Sequence, residues 1–585
     1  MSNIVIGLNA YHGDSSACIL VDGEIVAAAE EERFLRTKHW AGFPARSIEY
    51  CLSEANAKLS EVDCIAVNSD SSAHRSKKVL YVATQRPSPK LVLDRLRNRK
   101  KRDSFDEALQ TRFPDDRFAG QIVPVEHHLA HLASAYHCSP FEDSTVVSVD
   151  GFGDFCSTAW GIGREGNLAI EGRVFFPHSL GIFYQAMTQY LGFPNYGDEY
   201  KVMGLAPYGQ PTYLDAMREV VRTGSNGTFR LALNYFVHHV TDVRYAWNEG
   251  SPSVGRLFSP ALETLLGPAR DPSQPLEDKH RDLARSIQAR YEEVFFNLLN
   301  SLHKKHGLTR ISVAGGCGMN SVANGKIARE TPFEVSYIQS AAGDAGGAIG
   351  AALVAQRQVF GPSRAGKMPH AYLGPSYDSN AICAVIDRNQ SDLEDAGCTV
   401  SEPESFDALC KRVVAALTDG GVIGWFQGRM EWGPRALGNR SILGDPRRSD
   451  MKDILNLKIK RRESFRPFAP SIMRAHVAEW FEEEADVPFM MKVFQILPAK
   501  REEIPAVTHV DGSGRLQTVD QRTNPRYHRL IEHFYEKTSV PMLLNTSFNE
   551  NEPVVCTPQE AMDCFLRTQM DVLVLNDVLI ERSAG

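Results

Sequence analysis

Short apolar runs alternate with polar turns near the start of the chain. Residues 4–8, 17–21 and 25–29 are apolar runs of strand length. Asp22 and Gly23 separate the last two runs, a pair that favours a tight β-hairpin turn. The stretch between the first two runs is mostly polar or small. The pattern therefore predicts a strand, a polar turn and a hairpin.

The same pattern returns 141 residues later without a gap. Residues 145–149 predict a strand, residues 150–154 a polar turn and residues 157–163 a return strand. Asn9 aligns with Asp150 in this comparison. A unit that occurs twice predicts two related half-domains that face a cleft. The alternative is that any two hairpins look alike, and we favour the duplication.

A pair of histidines follows an extended run at residues 121–125. His127 and His131 are four residues apart and lie on one face of a predicted helix, so both imidazoles can reach one metal ion. A buried or capping pair of histidines is the alternative. Asp344 is the one acidic residue in a turn of small residues at 340–347, and this favours the metal interpretation.

A glycine-rich turn follows the apolar run at residues 311–314. Gly315, Gly316 and Gly318 lie between this predicted strand and a predicted helix, where backbone N–H groups can face a phosphate. The turn matches neither the Walker loop nor the GxGxxG pattern. Tight packing is therefore an equally simple explanation of these glycines.

The character of the chain changes beyond residue 404. Residues 361–367 carry glycine, proline and serine and predict a linker, and a transitional segment runs to about residue 404. In the part that follows, arginines alternate with glycine, proline and aromatic residues, which is not typical of a solvated face. Rigid guanidinium groups suit phosphate and carboxylate oxygens, so this part predicts an anion site. The stretches are GPRALGNRSIL (433–443), FRPFAP (465–470) and NTSFN (545–549).

Composition and charge narrow the class of protein. A length of 585 residues predicts about three or four domain-sized units. The eleven cysteines are scattered without a CxxC pair, which favours a reducing compartment. The formal charge of −8 argues against a general nucleic-acid binder, and the basic run at 95–102 is expected to be solvated. With no signal pattern and no apolar run near about 20 residues, we expect a cytoplasmic protein without membrane contact.

These motifs, together with KVMGLAPYG (201–209), resemble the NodU/CmcH family of O-carbamoyltransferases over nearly the whole chain. The first part is similar to the sugar kinase–actin–Hsp70 superfamily, in its tRNA threonylcarbamoyl-transferring, Kae-like branch. The last part resembles the YrdC/Sua-type domain that forms carbamoyl-adenylates. The resemblance implies an α/β protein with a duplicated Kae-like domain at 1–365, a linker at 366–400 and an α/β YrdC-like domain at 401–585. Residues 231–276 match least well.

The resemblance also implies a reaction and its residues. The second domain would convert carbamoyl phosphate and ATP, with Mg²⁺, into carbamoyl-adenylate, and the first would pass the carbamoyl group to a hydroxyl of a small-molecule natural product. Fe(II) or another divalent metal would be bound by His127, His131 and Asp344. His12 matches the proposed base. Positions that match nucleotide-binding residues in the first domain are Lys38, Asp150, Gly181, Gly316 and Asn320. Positions that match the carbamoyl phosphate and ATP site are Arg435, Lys460, Arg466, Arg515, Asn545 and Ser547.

Three other functions remain open at this point. A tRNA threonylcarbamoyl transferase shares both domain types, but the acidic balance speaks against RNA. A small-molecule kinase of the same superfamily would not need the arginine-rich second part. A nucleotide-gated binding protein would leave the histidine pair without a purpose. The acceptor stays open among antibiotics, macrolides, polyketides and sugars, and a homodimer is the candidate oligomer.

Overall fold

The computed structural model describes residues 2–85, 105–240, 245–246, 250–361, 366–460, 465–466 and 468–583. The basic run at 95–102 lies outside the described residues. The chain forms two compact units, Met1–Met368 and Pro369–Gly585, and both contain helices and sheets. Within the described ranges, no helix combines the length and apolar character that a membrane span needs.

The first unit is built around two five-stranded sheets. Its strands are β1 (Ile4–Asn9), β2 (Ser16–Val21), β3 (Glu24–Glu30), β4 (Cys64–Val67), β5 (Gln121–Pro124), β6 (Asp143–Gly153), β7 (Cys156–Arg164), β8 (Asn167–Phe175), β9 (Val221–Thr223), β10 (Phe229–Leu231), β11 (Tyr245–Ala246), β12 (Ser253–Val254), β13 (Arg310–Ala314) and β14 (Val335–Ile338). Its helices are Glu32–Leu35, Ala45–Glu54, Arg75–Gln85, Phe105–Arg112, His127–Cys138, Leu180–Tyr190, Glu199–Leu205, Leu214–Val220, Pro260–Leu266, Asp278–His306, Ser321–Gly325, Ile327–Glu330 and Gly346–Phe360.

The two sheets have the same topology. Their strand orders are β3-β2-β1-β4-β5 and β8-β7-β6-β13-β14. In each sheet, three consecutive strands form an antiparallel meander. The first strand of the meander also pairs in parallel with a fourth strand, and the fourth strand pairs in parallel with a fifth. The repeat predicted from the hydrophobic pattern is therefore present in the strand order. The first hairpin turns as expected, because Asp22 and Gly23 both have positive φ, at 52° and 86°.

Two helices of the first unit pack closely against each other. We call His127–Cys138 the histidine helix and Gly346–Phe360 the aspartate-turn helix, because the turn before the latter contains Asp344. A Cβ atom at Gly350 would overlap the carbonyl oxygen of Ala130, so only glycine permits this approach. The side chain of Glu126 accepts hydrogen bonds from the N–H groups of His128 and Leu129, which fixes where the histidine helix begins.

The second unit contains one nine-stranded sheet with the order β15-β23-β22-β16-β17-β21-β18-β20-β19. Its strands are β15 (Cys398–Ser401), β16 (Ile423–Phe426), β17 (Arg440–Gly444), β18 (Ala469–Met473), β19 (Lys492–Gln495), β20 (Ser513–Val519), β21 (Met542–Ser547), β22 (Val572–Leu575) and β23 (Val578–Arg582). Its helices are Ser379–Arg388, Gln390–Asp395, Phe406–Thr418, Met451–Leu455, Val477–Trp480, Pro525–Thr538 and Pro558–Arg567.

Much of the expected linker at 366–400 is folded into the second unit. Helices Ser379–Arg388 and Gln390–Asp395 lie there, and β15 pairs with β23 at the edge of the sheet. Ile382 and Leu393 are buried in the core of this unit. The second unit therefore begins at Pro369, before the predicted start at 401, because apolar residues of this stretch bury against the sheet.

Candidate active site

Four polar side chains of the first unit converge at the start of the histidine helix. The Nε2 atoms of His127 and His131 lie 3.0 Å apart. Asp150 Oδ2 lies 3.0 Å from the first of these atoms and 3.2 Å from the second. Asp344 Oδ1 lies 3.6 Å from each. The helix supplies both imidazoles from successive turns, the end of β6 supplies Asp150, and the turn before the aspartate-turn helix supplies Asp344.

Burial makes the electrostatics of this cluster strong. Both histidines are almost completely buried. Burial opposes protonation of His131, but hydrogen bonds to Asp150 and Asp344 outweigh it and raise its pKa to about 9. Burial alone would raise the pKa of Asp150, yet the hydrogen bonds from both histidines hold it well below its usual range. Burial and the charge of Asp150 raise the pKa of Asp344.

The donor set fits a divalent metal ion. One ligand atom from each of the four residues lies within 4.8 Å of the other three. Ligands at about 2.0–2.2 Å from a metal are separated from one another by about 3–3.6 Å, which the observed spacings match. In the described part of the chain, Nδ1 of His127 and of His131 has no hydrogen-bond partner, so the Nε2 atoms are the ones aimed at the cluster. Imidazole and carboxylate are ligands for iron, zinc and other divalent ions.

Asp150 is the functional candidate that the sequence assigned differently. It was expected at the nucleotide, whereas its Oδ2 faces both histidines and its Oδ1 accepts a hydrogen bond from Gly316 N–H at 2.9 Å. The available signal was its position directly after the predicted strand at 145–149. Sequence spacing does not relate Asp150 to the histidines, because Asp150 approaches the histidine helix only through the position of β6 in the folded sheet.

His12 lies next to this cluster. Its ring centroid is 5.5 Å from that of His127, and the residue is 6 % exposed. Asn9 holds the turn that carries His12, since its Nδ2 donates to the carbonyl oxygens of Gly13 and Asp14, both at 3.0 Å. The structure therefore brings the predicted base and the predicted metal ligands together.

The predicted nucleotide-binding positions are divided. Gly181 and Gly316 both pack against Asp150, where a Cβ at either glycine would crowd its backbone or carboxylate. Asn320 instead exchanges hydrogen bonds with Gln288 and caps helix Ser321–Gly325. Lys38 is exposed and precedes His39, whose Nδ1 lies 2.8 Å from Asp14 Oδ1.

Two further residues orient the cluster without facing it. His128 pairs with the Ser148 hydroxyl, and burial lowers its pKa to about 3. Asp154 Oδ2 accepts hydrogen bonds from the backbone N–H groups of His127 at 2.9 Å and Asp70 at 2.8 Å. Asp154 fixes the first residue of the histidine helix, a role that the sequence pattern did not single out.

Part of the poorly matching region 231–276 packs beside the turn that contains Asp150. His238 Nε2 lies 2.8 Å from the carbonyl oxygen of Pro177, and its ring centroid is 5.9 Å from that of Phe152 and 5.8 Å from that of Phe176. Phe152 is half-buried and follows Asp150 by two residues. This region therefore contributes side chains next to the candidate site.

In the second unit, Lys460 is buried and tethered. It is 2 % exposed, and its Nζ donates to the carbonyl oxygens of Ser547 and Asn549, both at 2.6 Å, and to Asn549 Oδ1 at 2.7 Å. Ser547 Oγ also donates to Asn549 Oδ1 at 2.8 Å. These bonds tie Lys460, which matches a carbamoyl phosphate and ATP position, to the segment 547–549.

Asn545 lies at the centre of a second buried network. Its Nδ2 donates to Ala436 O at 3.1 Å and to Ser471 Oγ and Gln517 Oε1, both at 3.0 Å. Its Oδ1 is buried and has no partner within the part of the chain that the structure describes. This oxygen is a candidate acceptor for a ligand N–H group.

The predicted arginines are close in sequence to residues of this network. Arg435 is adjacent to Ala436, which accepts the bond from Asn545. Arg515 lies on β20 two residues before Gln517, so both side chains leave the same face of the sheet. Arg466 is three residues before Ala469, which pairs with Asn545. All three arginines are half-buried.

Comparisons with known proteins cover both units. The family described as "Carbamoyltransferase N-terminus" matches residues 4–353, and the one described as "Carbamoyltransferase C-terminus" matches residues 414–582. The uncharacterized protein sll1178 of Synechocystis sp. is 39% identical over 99% of this chain and 97% of its own. Nodulation protein NolNO of Sinorhizobium fredii is 36% identical over 98% of this chain and 80% of its own.

A relative with a more specific name matches a smaller part. The 3'-hydroxymethylcephem-O-carbamoyltransferase of Streptomyces clavuligerus is 35% identical over 42% of this chain and 43% of its own. Among solved structures, HypF of T. kodakarensis covers 62% of this chain and 48% of its own at 11% identity, and its TM-score of 0.31 is too low to carry an argument about the fold. The matches over both units confirm the resemblance seen in the motifs: this chain belongs to the carbamoyltransferase family of NodU and the cephem O-carbamoyltransferases, and it is an enzyme of that class.

Proposed function

We propose that the protein is an ATP-dependent O-carbamoyltransferase that works through carbamoyl-adenylate. The second unit forms this intermediate from carbamoyl phosphate and ATP, and the first unit transfers its carbamoyl group to an alcohol. The observation that carries the proposal is the convergence of His127, His131, Asp150 and Asp344 beside His12, in a chain that matches carbamoyltransferase families in both units.

The proposal includes an assignment of each unit. The doubled sheet topology supports a Kae-like domain of the sugar kinase–actin–Hsp70 superfamily in the first unit. The arginines around Asn545 support a YrdC-like adenylate-forming domain in the second. Two units with separate polar sites suit a reaction with two chemical steps.

We assign a divalent metal, Fe(II) by resemblance, to His127 Nε2, His131 Nε2, Asp344 and Asp150. When bound, the metal supplies positive charge that holds phosphate oxygens of the adenylate. Asp154 fixes the start of the helix that carries both imidazoles, through its bond from His127 N–H. Gly316 N–H orients Asp150 through its other carboxylate oxygen. These contacts pre-organise the ligands.

His12 takes the proton from the acceptor hydroxyl in this scheme. An alcohol is a poor nucleophile at neutral pH, and an imidazole has a pKa suited to act as the base. As the proton moves to His12, the alcohol oxygen forms a bond to the carbamoyl carbon. The bond from that carbon to the phosphate oxygen breaks, and AMP leaves with the electron pair. Burial of His12 excludes competing water.

In the second unit, the three arginines neutralise phosphate charge. Arg435, Arg466 and Arg515 are half-buried, where a fixed cation interacts with an anion more strongly than in water. Asn545 Oδ1 accepts an N–H of the carbamoyl group. Lys460 positions the segment 547–549 through its bonds to Ser547 and Asn549, and so sets the direction of the Ser547 hydroxyl.

The acceptor we propose is a small hydroxylated natural product. The name of the Streptomyces relative specifies a hydroxymethyl group on its substrate. His238 of region 231–276 packs against Phe152, two residues after Asp150, and this supports a role for the described part of the region in acceptor contact. Variation in this region would then adapt a common transfer site to different alcohols.

A product analysis without any acceptor tests the proposal. The protein is incubated with ATP, Mg²⁺, carbamoyl phosphate and Fe(II), and the nucleotides are separated by chromatography. We expect carbamoyl-adenylate, pyrophosphate and phosphate, with AMP from slow hydrolysis. Omission of carbamoyl phosphate should leave ATP intact. Formation of ADP alone would favour a kinase, and intact ATP in the complete mixture would refute adenylate formation.

A further inference from the structure

Two buried asparagines lie side by side at the carboxyl ends of neighbouring strands. β1 and β4 are parallel, and Leu8 is level with Val67, so Asn9 and Asn68 follow at the same height. The backbone N–H of Asn68 donates to Leu8 O at 2.8 Å, which holds the two ends together. Asn9 is 0 % exposed and Asn68 is 1 % exposed.

Three of the four amide atoms of these side chains are unpaired in the part of the chain that the structure describes. Asn9 Nδ2 is used, because it holds the turn of His12 through Gly13 and Asp14. Asn9 Oδ1 and both amide atoms of Asn68 are buried without a hydrogen-bond partner among the residues described. Buried polar atoms are rarely left in this state, since they lose their bonds to water. A ligand with matching donors and acceptors would satisfy them.

Both side chains face the start of the aspartate-turn helix. A Cβ at Gly347 would overlap the amide of Asn68, and Gly347 N–H donates to Asp344 O at 2.9 Å. A Cβ at Gly7 would overlap Ala348 O of the same helix, and Asn9 leaves the same face of β1 as Gly7. The Asn68 amide therefore packs against the helix that follows Asp344, and the Asn9 amide contacts the turn that contains His12.

We propose that Asn9 and Asn68 form the subsite that recognises the carbamoyl group during transfer. The carbamoyl group presents one carbonyl oxygen and two N–H donors. Asn68 Nδ2 donates to the carbonyl oxygen, and Asn68 Oδ1 accepts one N–H in a paired, two-bond arrangement. Asn9 Oδ1 accepts the second N–H. The inference rests on the proposed function and adds to it the residues that select a carbamoyl group over other acyl groups.

The choice of a carbamoyl group as the ligand rests on the number and type of the unpaired amide atoms. Among the residues described, two acceptor oxygens and one NH2 group are unpaired, and the carbamoyl group offers one NH2 group with two N–H donors and one carbonyl oxygen. An acetyl group has the same carbonyl oxygen but replaces the amino group with a methyl group. It would leave two buried acceptors unpaired, and sites of this kind discriminate strongly against such analogues.

Two stable adenylate mimics that differ only at this group test the inference. They are 5′-O-(N-carbamoylsulfamoyl)adenosine and 5′-O-(N-acetylsulfamoyl)adenosine, titrated calorimetrically into the full-length protein with and without Fe(II). Only the metal-dependent binding is compared, so that any binding by the second unit is removed. We expect the wild-type protein to bind the carbamoyl mimic at least about tenfold more tightly.

Asn68→Leu should reduce this preference to less than about twofold and change the affinity for the acetyl mimic little. Its midpoint of thermal unfolding should not fall, because the Asn68 amide has no partner to lose in the described chain. Asn68→Ala is the second variant if the leucine perturbs Gly347. Asn226→Leu, at an exposed position of the same unit, is the matched control and should keep the full preference.

The outcomes separate the two proposals. Equal binding of the mimics by the wild-type protein, or an unchanged preference in both Asn68 variants, overturns the inference while the product analysis of the second unit still stands. Absence of metal-dependent binding of either mimic overturns the inference together with the proposed role of the first unit. Loss of binding of both mimics in Asn68→Leu, with normal unfolding, would show a general role and also overturn it.

Discussion

The polar clusters of the two units differ in where their positive charge comes from. In the first unit, two imidazoles and two carboxylates turn their electron pairs toward one another, and the chain supplies no lysine or arginine among the four groups. In the second unit, the ammonium of Lys460 lies among oxygen atoms of Ser547 and Asn549. A cluster of acceptors needs a proton or a metal ion, whereas a buried ammonium needs only acceptors.

This difference indicates which of the two proposed sites depends on a bound metal ion. Without metal, the first cluster relies on a proton, which explains why the pKa of His131 is raised to about 9. The second site contains its own cations in Lys460 and the three arginines. We therefore expect metal removal to impair transfer and to leave adenylate formation intact. The following predictions test this separation in order of decreasing effect.

His12→Ala should separate the two steps most strongly. The variant loses the proposed base, so carbamoyl transfer should fall by about 10²–10⁴-fold while adenylate formation continues. The measurement follows ¹⁴C from carbamoyl phosphate into an alcohol that the wild-type protein carbamoylates, and pyrophosphate release in parallel. His303→Ala, at a half-buried position of helix Asp278–His306, is the control. An equal loss of both activities would contradict the assignment of His12.

Arg515→Ala should produce the opposite pattern. Loss of a cation at the phosphate should reduce adenylate formation by about 10²–10³-fold. Metal content, measured by atomic emission, should be unchanged. Arg522→Ala provides a matched control, because Arg522 is 88% exposed and pairs with Asp520 on the surface. Unchanged ATP consumption in Arg515→Ala would remove this arginine from the phosphate site.

Asp150→Asn tests whether Asp150 is a metal ligand. The amide oxygen can still accept the bond from Gly316, but the negative charge facing the histidines is lost. We expect metal affinity to fall by about 10–100-fold in calorimetric titrations. Asp14→Asn is the control, since Asp14 belongs to a separate group with Glu32 and His39. A larger effect at Asp14 would move the metal to that group.

Metal affinity should also depend on pH. Because the pKa of His131 is raised to about 9, the metal-free protein holds a proton there at pH 7, and metal binding must release it. Affinity should therefore rise by up to about tenfold per pH unit between pH 7 and 9 and level off above the pKa. Titrations in buffers of different ionisation enthalpy measure the released proton. A flat profile would mean that His131 is already neutral.

The local features of the fold could be predicted because they depend on neighbours in the chain. The hairpin at Asp22 and Gly23 follows from the residues of the turn itself. The pairing of His127 with His131 follows from the helical period, and the repeat of the strand–turn–strand unit from the alternation of apolar and polar residues. Asp344 stood out as the acidic residue of a turn of small residues, and the motif resemblance added His12; the structure brings Asp344 to the two histidines and His12 next to them.

Contacts between segments that are far apart in the sequence could not be predicted. The tethering of Lys460 depends on the path of the segment 547–549, and the fold of 366–400 depends on an edge strand that pairs with β23. Arg435, Arg466 and Arg515 were recognised by motif alone, and their roles stay predictions. The register of the nine-stranded sheet, which no local pattern encodes, decides which of them lie near Asn545.

By itself, the sequence determined the family, the repeated hairpin unit and the histidine pair, since motif identity and helical or strand period are properties of contiguous residues. Only the tertiary structure decided that Asp150 faces His127 and His131 and that Asn9 lies level with Asn68. The physical reason is that both contacts arise from sheet register and helix packing. Sheet register and helix packing bring together side chains that are far apart in the chain. Burial then shifts the pKa values of the charged groups and makes unpaired amide atoms energetically costly.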